Sequence, residues 1–562
     1  MRKRIILLVI LAFVLITCIF SASLEVFELN HPVYELVETL YVMEGKASPM
    51  GAKPWTHADV KRLTDAVEPS GKISRDIRDM IQGYIKEDDG LIFNAVIEPQ
   101  LMIHTNEDYE GRKSIASADL LDRQFAVLGL GYRYRDNMAL YMDTSLSVTP
   151  SDVHHVNPDL SAGASHGKRI SSPWGTNIPF LPDGLNIMNF PNNAYLALGN
   201  SAFRAVAGRG QVEWGNGVLG NMIIGNTLPY HDYLSLTFTG SDEFFSYQLL
   251  TSFFSHSQNK ENDSDRRPLN GIRFFLGHRF EFTLIKGKLQ IVLNDSLMYQ
   301  SENNYLDLRL LNPLFFLHNG FMAGNSNSLA SLEIEYSPIK NLSIYGQFAL
   351  DDYAVFGEPK PGEAGGSADG LGAMLGIRGY IPAGNTGLWH GNAEFVYTSP
   401  YIYHRAMEYE DRYTRELYFV SSIRYMDGGQ SYLERYLSFP FGSDSIAGVL
   451  SIGYEKPGLF DVTGRFFVMA HGVIDEYSSI RQYHGGEPVT NTPSTSNPLG
   501  TGEDKGGVAE YTVVSGIDAV YYLKDWLPIN AGITLLAVWN QGNYSAPVKY
   551  DVQFNLGFSL RY

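Results

Sequence analysis

The chain has 562 residues, a formal net charge of −18 and 19% charged residues, set against 35 Tyr, 31 Phe, 6 Trp and 55 Gly. The acidic balance excludes a nucleic-acid binder, whose phosphate partners need a basic footprint. The single cysteine, Cys18, excludes a disulfide framework, and beyond the leader no apolar run reaches the roughly 20 residues that a membrane-spanning helix requires.

In chain order, Arg2, Lys3 and Arg4 precede the apolar run 5–20, and Ser21, Ala22 and Ser23 supply small residues for cleavage. This pattern predicts a signal peptide over 1–23 and a mature chain that starts at Leu24. An uncleaved anchor and a lipidated Cys18 are the alternatives, and Thr17 is a poor neighbour for the second. Residues 24–90 carry helical spacing and form the expected N-terminal segment. Val33, Leu36, Val37, Leu40 and Tyr41 recur behind Pro32, with Gly45 as a stop. Thr56 with Asp59 three residues on fits a capping box ahead of Val60, Leu63 and Val67. A third helix is expected from about Ser74, with Ile77, Met80, Ile81 and Tyr84 as its stripe. Three such short helices cannot bury their stripes alone, so they should pack on one another and on the chain beyond residue 90.

From Leu91 the period changes to two. The strongest case is the end of the chain, where Val552, Phe554, Leu556, Phe558, Leu560 and Tyr562 alternate with Gln553, Asn555, Gly557, Ser559 and Arg561. One apolar face and one polar or small face fit a strand with lipid on one side and a polar interior on the other. Segments 125–134 and 138–148 flank Asp136-Asn137, and 274–285 and 289–299 flank Lys286-Gly287-Lys288, as hairpins do. Val462, Phe466 and Val468 repeat the alternation. Long polar inserts occupy 257–270, 355–372 and 479–507. Strands without spanning helices cross a membrane only as a closed barrel, which satisfies every backbone amide. The expected fold is therefore all-β and transmembrane: a large antiparallel outer-membrane β-barrel over 91–562, with about 16 to 20 strands.

Several local patterns carry little chemistry. Gly163-Ala164-Ser165-His166-Gly167 fits the nucleophile-elbow spelling but lacks its strand-turn-helix setting. Gly215, Gly217 and Gly220 match a dinucleotide fingerprint without the helix that it needs. No H-E-x-x-H, Cys/His cluster or calcium loop is present in the sequence, so no metal site is expected.

A more informative series runs through Ala207-Gly208-Arg209-Gly210-Gln211-Val212-Glu213-Trp214-Gly215, then Pro229, Asp232 and 234–238. It continues with Gly277-His278-Arg279-Phe280-Glu281, Leu310-Leu311-Asn312-Pro313 and the stretch 344–352, Ile-Tyr-Gly-Gln-Phe-Ala-Leu-Asp-Asp. In this order the motifs, with the helical segment around 33–84, resemble the Wzi-type capsule assembly family of outer-membrane proteins. The inserts 355–372 and 479–507 have no counterpart in that pattern. The resemblance implies a barrel, with 18 strands favoured, and N-terminal helices in the periplasm. It also implies a non-catalytic surface lectin that anchors capsular or extracellular polysaccharide, with loops at the surface of a diderm cell and no cofactor. Partners implied are the polysaccharide, outer-membrane lipid, the barrel-assembly machinery during biogenesis and, as a candidate, a polysaccharide export machinery. A porin or substrate-selective channel, and a lipase-like barrel enzyme drawing on His154, His155, Ser165 or His166, are the competing readings.

The candidate site residues are Arg209, Glu213, Trp214, Asn312, Asp351, Asp352 and Glu394. Their charges lie in strand-like segments, where facing lipid would cost several kcal/mol, so they are expected to point into the lumen. There they either form a structural lattice or touch polysaccharide. Asn312 and Pro313 are expected to end a strand. Trp174, Trp389 and Trp539 are expected as interface anchors or as sugar-stacking platforms.

Overall fold

The structure, a computed structural model, describes residues 23–562 except 50, 87–88, 107–109, 113–123, 151–166, 170–173, 180, 182–183, 201, 241–243, 256–270, 302–303, 316, 318–324, 352–367, 406–416, 425–431, 476–477, 479–488, 490, 497–506 and 525. The expected signal peptide and the serine and histidines of 154–166 lie outside the described residues. Three helices come first: α1 (Val33–Met43), α2 (His57–Asp65) and α3 (Lys72–Tyr84). The capping box of α2 is formed as expected: Asp59 N donates to Thr56 Oγ1 at 3.2 Å and Thr56 N donates to Asp59 Oδ2 at 2.9 Å. Helix α3 begins two residues ahead of Ser74, because Gly71 in extended conformation serves as its N-cap.

The wall is one antiparallel sheet in meander order. Its staves are β1 (Gly90–Ile97, resumed as Gln100–His104), β2 (Ala126–Tyr134), β3 (Met138–Pro150), β4 (Gly184–Asn189, resumed as Ala194–Gly199), β5 (Phe203–Gly210) and β6 (His231–Thr239). Then come β7 (Phe245–Phe254), β8 (Ile272–Leu284), β9 (Leu289–Ser301), β10 (Ser326–Ile339), β11 (Leu342–Asp351) and β12 (Gly370–Ala383). The last six are β13 (Gly387–Thr398), β14 (Ser445–Lys456), β15 (Phe460–His471), β16 (Glu510–Lys524), β17 (Leu527–Trp539) and β18 (Lys549–Phe558, resumed as Leu560–Arg561). The sheet has 22 segments. Three staves are each interrupted once, and the fragment Trp174–Thr176 pairs only with β1, so among the described residues the segments make eighteen staves. The last stave returns to the first: Leu556 pairs with Leu101 and Leu560 with Ile97, while Ala95 and Tyr562 exchange both backbone hydrogen bonds.

Alternation decides the two faces. Leu130, Leu234, Leu293, Ile334, Leu375 and Ile533 stand exposed on the outer wall. Aromatic residues border this apolar belt at both ends, with Tyr132, Tyr336, Trp389 and Trp526 at the short-turn end and Phe253, Trp174, Trp539 and Tyr550 at the other. Girdles of this kind place amphipathic rings where hydrocarbon meets water, and the positions of Trp174, Trp389 and Trp539 suit that use. The short turns, such as Ile285–Gly287, lie at one end and the long connections at the other.

The helices close the short-turn end. Asn341 N donates to Val42 O and Ala47 N to Gly287 O, both at 2.8 Å, and the Lys340 ammonium pairs with Glu44 at 2.8 Å. Their apolar stripes, including Val37, Leu40, Val60, Ile77 and Ile81, form one core that also takes in Leu388 of β13. Inward-facing arginines of the wall hold the segment: Arg133 pairs with Glu25 at 2.6 Å, Arg204 with Asp59, and Arg378 with Glu38. Burial pushes the Asp59 carboxyl up, but the Arg204 and Arg62 guanidiniums outweigh it and hold the group below the usual carboxylate range.

A pH dependence arises at His57, which stacks on Phe27 and accepts a hydrogen bond from Lys86 N at its Nδ1, 2.9 Å away. Burial, reinforced by Arg133, His31 and Lys86, pushes this imidazole down to about 3. Its folded value lies below its free value of 6.5, so protons favour the undocked state and stability falls as pH drops from 6.5 towards 3. The adjacent Glu25 carboxyl is pushed up by burial, despite Arg133, and acts in the opposite sense. The expected result is that His57→Gln flattens the acid limb of an unfolding-midpoint titration. An unchanged slope would remove His57 as its source.

Candidate functional site in the barrel lumen

The connection between β5 and β6, residues 211–230, does not project outward. It folds into the lumen, led by the two-residue strand Glu213–Trp214, which pairs with Ala52–Lys53 of the N-terminal segment. Gly215 and Gly220 turn the chain there with φ of +118° and +133°, a region that side chains rarely tolerate. At Gly215 a Cβ would also lie 2.1 Å from Asn221 Oδ1 and 2.4 Å from Gln347 Nε2, so no larger residue fits.

Trp214 anchors this insert. Its indole is 1% exposed, lies edge-on to Phe275, and donates through Nε1 to Gln248 Oε1 at 2.5 Å. Gly277 makes room for it, since a Cβ there would come within 2.8 Å of the ring. Glu213 is buried between Lys53, 3.5 Å away, and the Asn221 amide, 2.8 Å away.

Side chains of the wall then take up the backbone of the insert. Glu394 on β13 accepts from Val218 N at 2.7 Å, Leu219 N at 2.8 Å and the Tyr345 hydroxyl at 2.7 Å. Gln347 accepts from Met222 N at 2.8 Å, Glu335 from the Asn216 amide at 2.9 Å, and Arg378 donates to Asn216 O at 2.5 Å. Buried polar groups need such partners, which explains why an irregular segment is stable inside a barrel. Below the indole, Arg279 is 1% exposed and donates to Glu281 at 2.6 Å, to both oxygens of Glu333 at 2.6 and 3.1 Å, and to Asn294 at 3.3 Å.

Above the insert lies an apolar layer. Met222, Ile223, Ile224, Ile402, Tyr403 and Phe439 share one buried core with wall residues such as Met374 and Val396. A hairpin, Val420–Arg424 with Tyr432–Tyr436, joins this layer: Arg273 of β8 donates to Val420 O at 2.6 Å and Gly225 N to Leu437 O at 2.8 Å. Among the described residues the lumen is thus filled from the short-turn end by the N-terminal segment, at its middle by 211–230, and towards the long loops by 401–405, 417–424 and 432–441.

Of the expected site residues, Glu213, Trp214 and Glu394 come together in this lattice. Asp351 joins it at the upper end, where Oδ2 accepts from Tyr403 N at 2.6 Å. Asp352 lies outside the described residues. Arg209 is a correction: Arg204 and Val206 are the buried face of β5, so Arg209 falls on the opposite, outer face. It sits at the long-loop end, paired with Asp232 at 2.7 and 2.8 Å and stacked over Tyr230, beyond the apolar belt where a paired charge is tolerated. Asn312 is a second correction. It is exposed and ends no strand; its Oδ1 accepts from Leu314 N at 3.1 Å, so it shapes a turn.

Sequence reasoning misses Arg204, Gln347 and Arg378, although each stands alone among apolar or small neighbours of an alternating strand, which is the signal for a lumen-facing polar group. Gly376 belongs with them, because Tyr345 lies flat across it and a Cβ there would be 2.1 Å from the ring. Gly376→Ala is expected to displace Tyr345 from Glu394 and to cost about 1–3 kcal/mol in urea unfolding of the refolded protein. Among the described residues no three metal-ligating side chains come together.

No protein-family description matches the chain, and no curated protein matches it in sequence. Solved structures do match. One is Wzi of Escherichia coli, described as an outer-membrane protein involved in group 1 capsule assembly and a carbohydrate-binding β-barrel. It shares 12% identity at a TM-score of 0.59, over 96% of this chain and 99% of that one. Others are the channel DcaP of Acinetobacter baumannii (9% identity, TM-score 0.36, 84% and 97% covered) and OpdK of Pseudomonas aeruginosa (8%, 0.40, 84% and 98%). At these identities the likeness establishes the fold, that of an outer-membrane barrel.

Proposed function

We propose that this barrel lies in the outer membrane with its long loops outside the cell and its helices in the periplasm, and that it holds capsular or extracellular polysaccharide at the surface without catalysis. The observation that carries this reading is the filled lumen: a channel needs a continuous water path, whereas here buried ion pairs and an apolar layer occupy the interior. The whole-chain likeness to a carbohydrate-binding barrel supports the same choice. The apolar outer face of the stave 549–561 suits recognition by barrel-assembly machinery, and an export machinery would deliver the polymer.

Deleting the gene is expected to release polymer into the medium while synthesis continues, and the folded, detergent-extracted protein is expected to retain that polymer in a pull-down. Cell-associated polymer at its normal level in the deletion strain overturns the reading. Steady ion conductance of the purified protein in planar bilayers would move the choice to a channel. For a lipase, a histidine must face a hydroxyl nucleophile on the outer wall. His278 stands on that wall, but its Nδ1 bonds the Tyr247 hydroxyl and its Nε2 the Leu310 carbonyl, each at 2.8 Å. Lipid hydrolysis that is lost on Ser165→Ala would revive the enzyme reading.

A further inference from the structure

The outer wall of β7 to β10 breaks the rule that the rest of the wall obeys. On β8 the lumen face carries Arg273, Phe275, Arg279 and Glu281, so Phe274, Leu276 and His278 face outward; yet all three are 1% exposed. On β9, Leu297 and Tyr299 are outward and equally buried. The cover is the described part of the connection between β9 and β10, residues 304–315 and 317, which lies against the outside of the barrel. Its Leu310 and Leu317 share a core with Phe274, Leu276, Leu297 and Tyr299, and the Tyr299 hydroxyl donates to Tyr305 O at 2.8 Å.

This strap also takes up polar groups that a lipid-facing wall should not carry. His278 and Asp295 are register partners. Leu310 O bonds His278 Nε2 at 2.8 Å, and Leu317 N donates to Asp295 Oδ2 at 2.9 Å. Bare in hydrocarbon, such groups would each cost several kcal/mol. Their row lies beside the Phe280–Leu293 row, where Leu293 is exposed, and it continues through Leu249 to Leu236, between the exposed Leu234 and Phe238. The strap therefore lies at the height of the apolar belt.

Its outward side is largely apolar, with Asn304 and Asn312 as its exposed amides. Leu308 is 71% and Leu314 90% exposed, with Tyr305, Leu306 and Leu311 beside them. The charges there, Asp307 and Arg309, neutralise each other through a bidentate pair in which Nε donates to Oδ1 at 3.1 Å and Nη2 to Oδ2 at 2.6 Å. We propose that residues 304–315, together with Leu317, form a lipid-immersed strap, which seals His278 and Asp295 from hydrocarbon and presents Leu308, Leu311 and Leu314 to the acyl chains of the membrane. The occupant is lipid because the patch continues the apolar belt on either side of it. This inference rests on the membrane placement proposed above and is independent of the polysaccharide role.

The test uses the full chain in a Cys18→Ser background, which is free of thiols. Leu308→Cys, Leu314→Cys, the belt control Leu293→Cys and the loop control Tyr544→Cys are each spin-labelled and reconstituted in phosphatidylcholine vesicles. Collisional relaxation by oxygen, which partitions into hydrocarbon, is compared with that by a water-soluble nickel chelate. The strap labels are expected to match Leu293→Cys, with an oxygen-to-nickel ratio severalfold above that of Tyr544→Cys. Strap labels that match Tyr544→Cys while Leu293→Cys reads lipid overturn the strap alone. Water exposure at Leu293→Cys overturns the membrane placement. Spin–spin broadening at Leu314→Cys assigns the patch to a second copy of the chain and overturns lipid as its occupant.

Discussion

Arg279→Met is expected to lower the unfolding free energy of the refolded protein by about 3–5 kcal/mol, read from urea titration in detergent or vesicles. The guanidinium compensates two buried carboxylates, Glu281 and Glu333, and its removal leaves both charges in a place that water does not reach. The wall must adjust around the two uncompensated carboxylates. The companion variant Arg279→Met/Glu281→Gln/Glu333→Gln removes all three charges and is expected to recover most of the loss, since a buried ion pair contributes little once both partners are gone. A single variant as stable as the wild type would mean that the lumen lattice is solvated and does not hold the barrel.

The second large effect is at Trp214. Trp214→Ala is expected to cost about 3–5 kcal/mol, because the indole fills the space between Phe275 and Gly277 and only partial collapse is open to a barrel wall. Trp214→Phe separates packing from hydrogen bonding. It keeps most of the ring but removes the donor to Gln248, and about 1–3 kcal/mol is expected for a buried acceptor that loses its partner. The readouts are the urea midpoint and limited proteolysis of the 211–230 insert. Equal losses for Phe and Ala would assign the whole effect to the hydrogen bond. No loss for Ala would show that the insert is held without its anchor.

The wall is legible in the sequence because its information is local. Alternation at 460–471 and at 549–562 tells which residues face out, and the Thr56–Asp59 pair tells where α2 begins, since capping and pleating depend on residues a few positions apart. Arg209 is easily placed on the wrong face because β5, Phe-Arg-Ala-Val-Ala-Gly-Arg-Gly, offers little contrast between its two faces. The burial of Arg204 and Val206, and the register that sets Arg209 opposite Asp232 on the face of the exposed Leu234, show where it lies. Asn312 misleads for a related reason: a turn-forming asparagine reads alike at a strand end and in a strap.

The alternation of the strands, the apolar outer surface and the helical segment were determined by the sequence on its own, because a two-residue or 3.6-residue period acts within one element. Where the long connections go was decided only by tertiary structure. One turns inward because Glu394 and Gln347, far along the chain, supply acceptors for its amides; another lies outside because Leu310 O and Leu317 N meet His278 and Asp295. Polar satisfaction is a pairing between distant residues, and no short-range pattern encodes the partner.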